Sequence, residues 1–179
     1  TGRMMLESAS ESVGSAASNA ATLEWAPALN DCVVTAGPPF RMIELGLDFN
    51  GNGGPHLSGD GLIVSTPTGS TAYNVSAGGP IVHPSCDAFV ITPLAVHSLA
   101  FRPIIASPDE PIAITVARVN DGTTLVIDGQ LTRRLKTGDR CLLYPPDAAD
   151  HRTRLSLSSR RAHYHAPLSI HSSHLASRS

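Results

Sequence analysis

At 179 residues and 41% hydrophobic content, the chain is long enough for one domain with a core of its own. Only 4% aromatic residues, beside 14 prolines and 15 glycines, favour many short elements joined by turns and lean toward β structure. The net charge of −2 conceals an asymmetry: residues 1–130 carry four Lys and Arg against twelve Asp and Glu, whereas residues 131–179 carry nine against three. A basic end on an acidic body, with neither aromatic interleaving nor a nucleic-acid-binding module, argues against a nucleic-acid partner.

No run approaches the ~18 to 20 apolar residues of a membrane span. Cys32, Cys86 and Cys141 show no Cys-x-x-Cys spacing, so neither a disulfide framework nor a zinc knuckle is indicated, and a reducing, cytoplasmic compartment is expected, organelles remaining open. The start at Thr1-Gly2-Arg3 lacks a signal-peptide core and a Met, which reads as a trimmed or partial, non-secreted chain.

In chain order, residues 3–7 read as an edge strand and 8–22, a Ser, Ala, Asn and Gly run, as a flexible loop. Residues 25–29 lead into a β-rich stretch over 30–35. Residues 40–49 alternate, with Ile43, Leu45, Leu47 and Phe49 on one face, which predicts a half-buried strand. Asn50-Gly51 signals a hairpin, with 57–64 as the returning strand. The run from Asp48 to Gly53 also matches the opening of a calcium loop. Gly59 stands where such a loop requires a bidentate Glu, so the turn reading is preferred.

The stretch 59–80 reads strand, loop, helix: Gly59-Asp60-Gly61, then Leu62-Ile63-Val64, a polar loop, and a helix over 71–77 with Ser70 as N-cap and Gly78-Gly79-Pro80 as stop. The first turn of a helix suits phosphates and polar ligand groups; the plainer reading is a tight connection built from turn formers. Asn74-Val75-Ser76 fits a glycosylation acceptor but falls inside that helix, without a secretory signal. Further strands are expected at 88–92, cut off by Pro93, at 112–116 and 124–127, joined by a turn at Asn120-Asp121-Gly122, and at 131–135 and 141–144. Asp128-Gly129 marks a tight turn. About nine strand candidates and one short helix result. Beyond Pro145 only 153–157 looks like a strand. In the Ser/His/Arg-rich remainder, His163, His165, His171 and His174 lack Cys or carboxylate partners for a metal and read as solvated.

The run from Gly59 to Tyr73, with Ser76-Ala77-Gly78-Gly79-Pro80 behind it, resembles the C-terminal domain of NAD kinases. Ala28-Leu29-Asn30-Asp31, the pieces Thr92-Pro93, His97-Ser98 and Phe101-Arg102-Pro103, and Asp128-Gly129-Gln130 follow in the family's order, so that the likeness covers about residues 25–144. The resemblance implies a mainly β, sandwich-like domain with one short helix after the Gly-Asp-Gly strand, at 25–157. Residues 1–24 would form an edge strand and loop, and 158–179 a tail. It also implies binding of NAD or NADP. Asn30 would meet the adenine and Asp31, where many relatives have Glu, the ribose hydroxyls; Ser58 and Asp60 would line the groove; Thr71, Ala72, Tyr73, Asn74 and Ser76 would be contacts at the helix start, with Tyr73 stacking on a base; Ala95 and Gln130 match two more positions. His97 and Arg102 are read as structural, on the ground that buried His and Arg belong to satisfied networks.

Full-length members transfer a phosphoryl group from ATP, or in some cases polyphosphate, to the adenosine ribose 2′-hydroxyl of NAD with a divalent cation such as Mg, using a base on a Gly-Gly-Asp-Gly loop of an N-terminal domain. That loop does not occur here, so no catalytic residue and no metal ligand is assigned to this chain. Homodimers or homotetramers are implied. The rival expectations are a non-catalytic NAD(P)-binding or assembly module and a related lipid kinase domain. Taken singly, Asn30-Asp31 and Asp60 would also serve as turn formers, and Tyr73 as a core residue.

Overall fold

Strands rich in Val, Ile and Leu with turn formers between them build two six-stranded sheets in the computed structural model, which describes residues 4–9, 24–97 and 101–144. The first runs β2 (Glu24–Ala28), β1 (Met4–Ala9), β12 (Arg140–Tyr144), β9 (Ile112–Arg118), β4 (Ile43–Phe49), β5 (His56–Gly59). The second runs β11 (Leu131–Arg134), β10 (Thr124–Ile127), β3 (Asp31–Thr35), β6 (Gly61–Ser65), β7 (Phe89–Leu94), β8 (Ile104–Ala106). Every pairing is antiparallel, so the mainly β expectation holds.

Alternate residues of each sheet enter one shared core. Ile43, Leu45, Leu47, Ile112, Ile114 and Leu143 come from the first sheet; Val34, Leu62, Val64, Ile91 and Leu125 come from the second. Burying such side chains is worth about 1.5–3 kcal/mol each, and this holds the faces together. Sheet two is buried on its other face as well, at Val33, Ile63 and Val90. A helix α1 (Tyr73–Ser76) lies on that side, where the Asn74 side chain meets Thr92, the register partner of Ile63.

Several expectations change. The strand at β1 is no edge: it pairs with β12 on one side and β2 on the other. The strand expected over 57–64 is two strands, β5 and β6, in different sheets. Gly61 makes the crossing, at φ 154° and with a position where a Cβ would stand 2.1 Å from the Val34 carbonyl oxygen, a site that admits no side chain. Strand β7 continues through Pro93, because β8 reaches only as far as Ile91 and leaves no ladder there for a missing N–H to break. The turn after β9 joins strands of different sheets. Residues 10–23, which include most of the stretch expected as a loop over 8–22, lie outside the described residues. So do the 153–157 strand, the four tail histidines and the outer domain limits.

The single helix expected over 71–77 is a 3-10 turn, Thr68–Thr71, followed by the four-residue α1. Ala72, at φ −89° and ψ −126°, leaves helical space between them. Ser70 is therefore not an N-cap. Its hydroxyl donates to the Pro67 carbonyl at 2.6 Å and accepts the Val82 amide at 3.0 Å. A helix this short, with the Ser70 and Ala72 amides already given to Pro67 and Gly69 carbonyls, offers no anion cradle at its start.

Candidate functional site

Because β3 runs antiparallel to both β6 and β10, its first residue lies where those strands end: Asp31 pairs with Ser65, and Cys32 with both Val64 and Ile127. Three segments meet at this end of sheet two: the chain entering β3, the turn leaving β6, and the turn from β10 to β11. In the last of these, Asp128 and Gly129 have φ of 50° and 68°, and the Gln130 amide donates to the Ile127 carbonyl at 2.9 Å. Positive φ at both central residues is the hairpin geometry that Asp-Gly favours.

The Asn30-Asp31 segment is held from two sides. On one side the amides of Leu29, Asn30 and Asp31 donate to the Asp128 carboxylate at 2.8, 2.7 and 3.1 Å, and the Asp128 amide donates to the Asp31 carbonyl at 3.0 Å. On the other, the Thr66 amide donates to the Asn30 carbonyl at 2.9 Å. The Thr66 hydroxyl donates to the Leu29 carbonyl at 2.7 Å and accepts the Gly69 amide at 3.0 Å. A Cβ on Gly69 would stand 2.0 Å from the Asn30 carbonyl oxygen, so glycine there is what lets the two turns touch.

Asp31 itself is 5% exposed. Burial, and secondarily the Asp128 charge, hold its carboxyl above the usual carboxylate value. A carboxylate in that position gains from hydroxyl donors brought by a ligand, since they restore what burial removed. Beside it, Thr71, Ala72, Tyr73 and Ser76 are exposed on the turn leaving β6, and Gln130 is exposed on the turn after β10. Tyr73 keeps 48% of its surface free, which is inconsistent with a core role and leaves its ring available for stacking.

Asn74 behaves differently from its neighbours. It is fully buried; its amide donates to the Ser70 and Pro80 carbonyls at 3.0 and 2.9 Å, and its Oδ1 accepts the Thr92 hydroxyl at 2.6 Å. Its side chain ties the turn to sheet two, with both the amide NH2 and Oδ1 engaged inside the fold. That network also buries the amide a glycosylation acceptor would need exposed.

Ser58, Asp60 and Ala95 form a separate corner at the other end of β6. The Asp60 amide donates to Leu94, the Ala36 amide to Asp60, and the His97 amide to Ser58. Four residue steps along β6 put this corner roughly 13 Å from the Asp31 end. Asp60 and Ala95 are exposed there. His97 and Arg102 are exposed too, so the burial on which their structural reading rested is not found.

Among the described residues no three His, Cys, Asp or Glu side chains gather into a metal-binding group. The cysteines are free thiols; burial raises Cys32 and pushes Cys141 up to about 12, which keeps both protonated and unreactive.

Residues 29–145 match the ATP-NAD kinase C-terminal domain. The chain belongs to that family. It is 40% identical over 144 residues to the NAD kinase of Geotalea daltonii, covering 80% of this chain and 50% of that protein. It is 44% identical over 119 residues to the NAD kinase of Cellvibrio japonicus, covering 66% and 40%. Among solved structures, yeast NADH kinase complexed with NADH is similar at a TM-score of 0.72 and 28% identity, covering 80% of this chain and 40% of that one. An NAD kinase from Archaeoglobus fulgidus in complex with ATP is similar at 0.59 and 28%, covering 71% and 52%. The chain spans about half the length, or less, of the curated relatives it matches.

Two residues that hold this end of sheet two together, Thr66 and Asp128, are not among the contact residues that the resemblance implies. The Asp128-Gly129 signal announces a turn, but nothing local announces that its carboxylate reaches residues 97 to 99 positions earlier.

Proposed function

We propose that this chain is the NAD-binding domain of an NAD kinase. The observation that carries the reading is the convergence at one end of sheet two of Asn30-Asp31, the exposed face of the turn leaving β6, and Gln130. Asp31 would accept the adenosine ribose hydroxyls, Asn30 would meet the adenine, and Tyr73 would stack on a base, with Thr71, Ala72, Ser76 and Gln130 around them. Hydrogen bonds to a charged group are worth about 1.5–3 kcal/mol each, so Asp31 would contribute most. The NAD kinases among the relatives, and the NADH and ATP in the two solved neighbours, favour a dinucleotide over a lipid.

In the full-length enzyme a phosphoryl group from ATP or polyphosphate would pass to the ribose 2′-hydroxyl. This chemistry depends on positioning and charge neutralisation. The base and the donor-phosphate contacts would come from a Gly-Gly-Asp-Gly loop, a motif absent from these 179 residues. The divalent cation would travel with the donor phosphates: Asp128 is engaged by three amides, which leaves Asp31 without a second free carboxylate beside it to build a metal centre. Ser58, Asp60 and Ala95, roughly 13 Å along β6 from Asp31, would line the far part of the same groove, a span that an extended dinucleotide covers, and the chain would assemble into a homodimer or homotetramer.

Calorimetric titration of the chain with NAD, NADP and ATP tests the binding reading. Weak binding of NAD or NADP in preference to ATP is expected, with no NADP formed from NAD and ATP by this chain alone. Absence of dinucleotide binding at millimolar concentration would overturn the reading, and turnover by the chain alone would overturn the assignment of the base elsewhere. Size measurement with and without NADP tests the assembly.

A further inference from the structure

Three successive backbone amides pointing at one anion form a nest, a feature that proteins commonly present to a ligand's phosphate or carboxylate. Here the amides of Leu29, Asn30 and Asp31 are filled from within by Asp128, with Oδ1 taking two of them and Oδ2 the third. The turn that Asp128 occupies does not itself require a carboxylate, since Asn or Gly satisfies the same positive φ. Three donors, however, are best met by an ionised group with two oxygens and no hydrogen.

We propose that Asp128 is a positioning residue: its carboxylate fixes the Leu29–Asp31 backbone so that the Asn30 and Asp31 side chains are presented to the dinucleotide. The inference rests on the NAD reading above. Asp128 touches no substrate and acts through the segment it clamps. Thr66 holds the same segment by its carbonyls, so loss of Asp128 frees the amide side while the other side stays attached. The same hairpin carries Gln130, which couples all three of these dinucleotide-facing positions to one turn.

The variants D128N and D128G separate this role from folding. D128N keeps the shape and tolerates the positive φ, but sets an NH2 against a backbone N–H. D128G keeps the turn geometry and removes the carboxylate. Folding of both is checked by circular dichroism. NAD titration of the wild-type chain and both variants is then followed across pH.

We expect NAD affinity to fall roughly tenfold or more at neutral pH, the scale of losing one charge-assisted hydrogen bond. We also expect the acidic limb of binding to move to lower pH. Asp31 is the group whose protonation ends binding. Among the described residues, β6, β7, β10 and the Thr68–Thr71 turn packed beside it bring no ionisable side chain, and the neighbouring α1 brings only the Tyr73 phenol. Its strand neighbour Cys32 is a protonated thiol, so Asp128 is the charge removed. Unchanged affinity, or equal weakening at every pH with an unmoved limb, overturns the positioning role while leaving the NAD reading intact. A wild-type chain that does not bind NAD overturns both.

Discussion

Two hairpin turns in this fold use the same device at different ranges. Asn50 and Gly51 after β4 have φ of 54° and 80°, and Asp128 and Gly129 after β10 have 50° and 68°; each turn has an aspartate whose carboxylate collects backbone amides. Asp48 accepts the amides of Gly51 and Gly53 at 2.6 and 2.9 Å, three and five residues on, and so closes its own loop. Asp128 reaches instead across to Leu29, Asn30 and Asp31. One turn is self-contained and serves stability. The other fastens a remote segment, the one that carries the proposed dinucleotide contacts Asn30 and Asp31.

The sharpest way to break this contrast is at the end of the long-range clamp. Replacing Asp31 by Ala is expected to weaken NAD binding by about 100-fold, the loss of two charge-assisted bonds less some recovery by water, as read by calorimetry. If the affinity holds, the clamp positions nothing that binds. Next comes G69A, whose methyl would collide with the Asn30 carbonyl; a stability loss of about 1–3 kcal/mol is expected in denaturant titration, together with weaker NAD binding.

D48N tests the other turn. It should cost about 1 kcal/mol of stability and leave NAD affinity unchanged; an affinity loss matching that of the D128 variants would erase the distinction between the turns. The smallest effect is in the pH dependence of the unliganded chain. Because the folded Asp31 carboxyl sits above its unfolded value, its contribution to stability is fully present below the unfolded pKa and is lost as pH rises through the folded one. D31N should therefore raise the melting temperature at neutral pH, with the gain disappearing in acid.

The strands were largely legible because their periodicity is local. Ile43, Leu45 and Leu47 alternate into the core as expected, and Asn50-Gly51 turns where such a pair should turn. What failed was also physical. Nothing in Leu57 to Val64 shows that Gly61 must pass within a methyl's reach of Val34, so one strand was read where there are two. Glu24–Ala28 contains Pro27 and has little β-branched content, which hid the edge strand. At the proposed site, the family-like motifs single out Asn30, Asp31, Tyr73 and Gln130. Asn74 carries the same motif weight while its side chain is an internal tie, and the clamp made by Asp128 is not legible locally because its partners lie nearly a hundred residues away.

The central claim is that dinucleotide binds at the clamped end of sheet two. Amide chemical-shift mapping of the chain during NAD titration tests it most directly, with the Asp48 turn as an internal reference. The account predicts shifts concentrated at residues 29–31, 68–76 and 128–130, with residues 48–54 silent. Saturable shifts confined to the Asp48 turn or other parts of sheet one, with 29–31 unmoved, would contradict it.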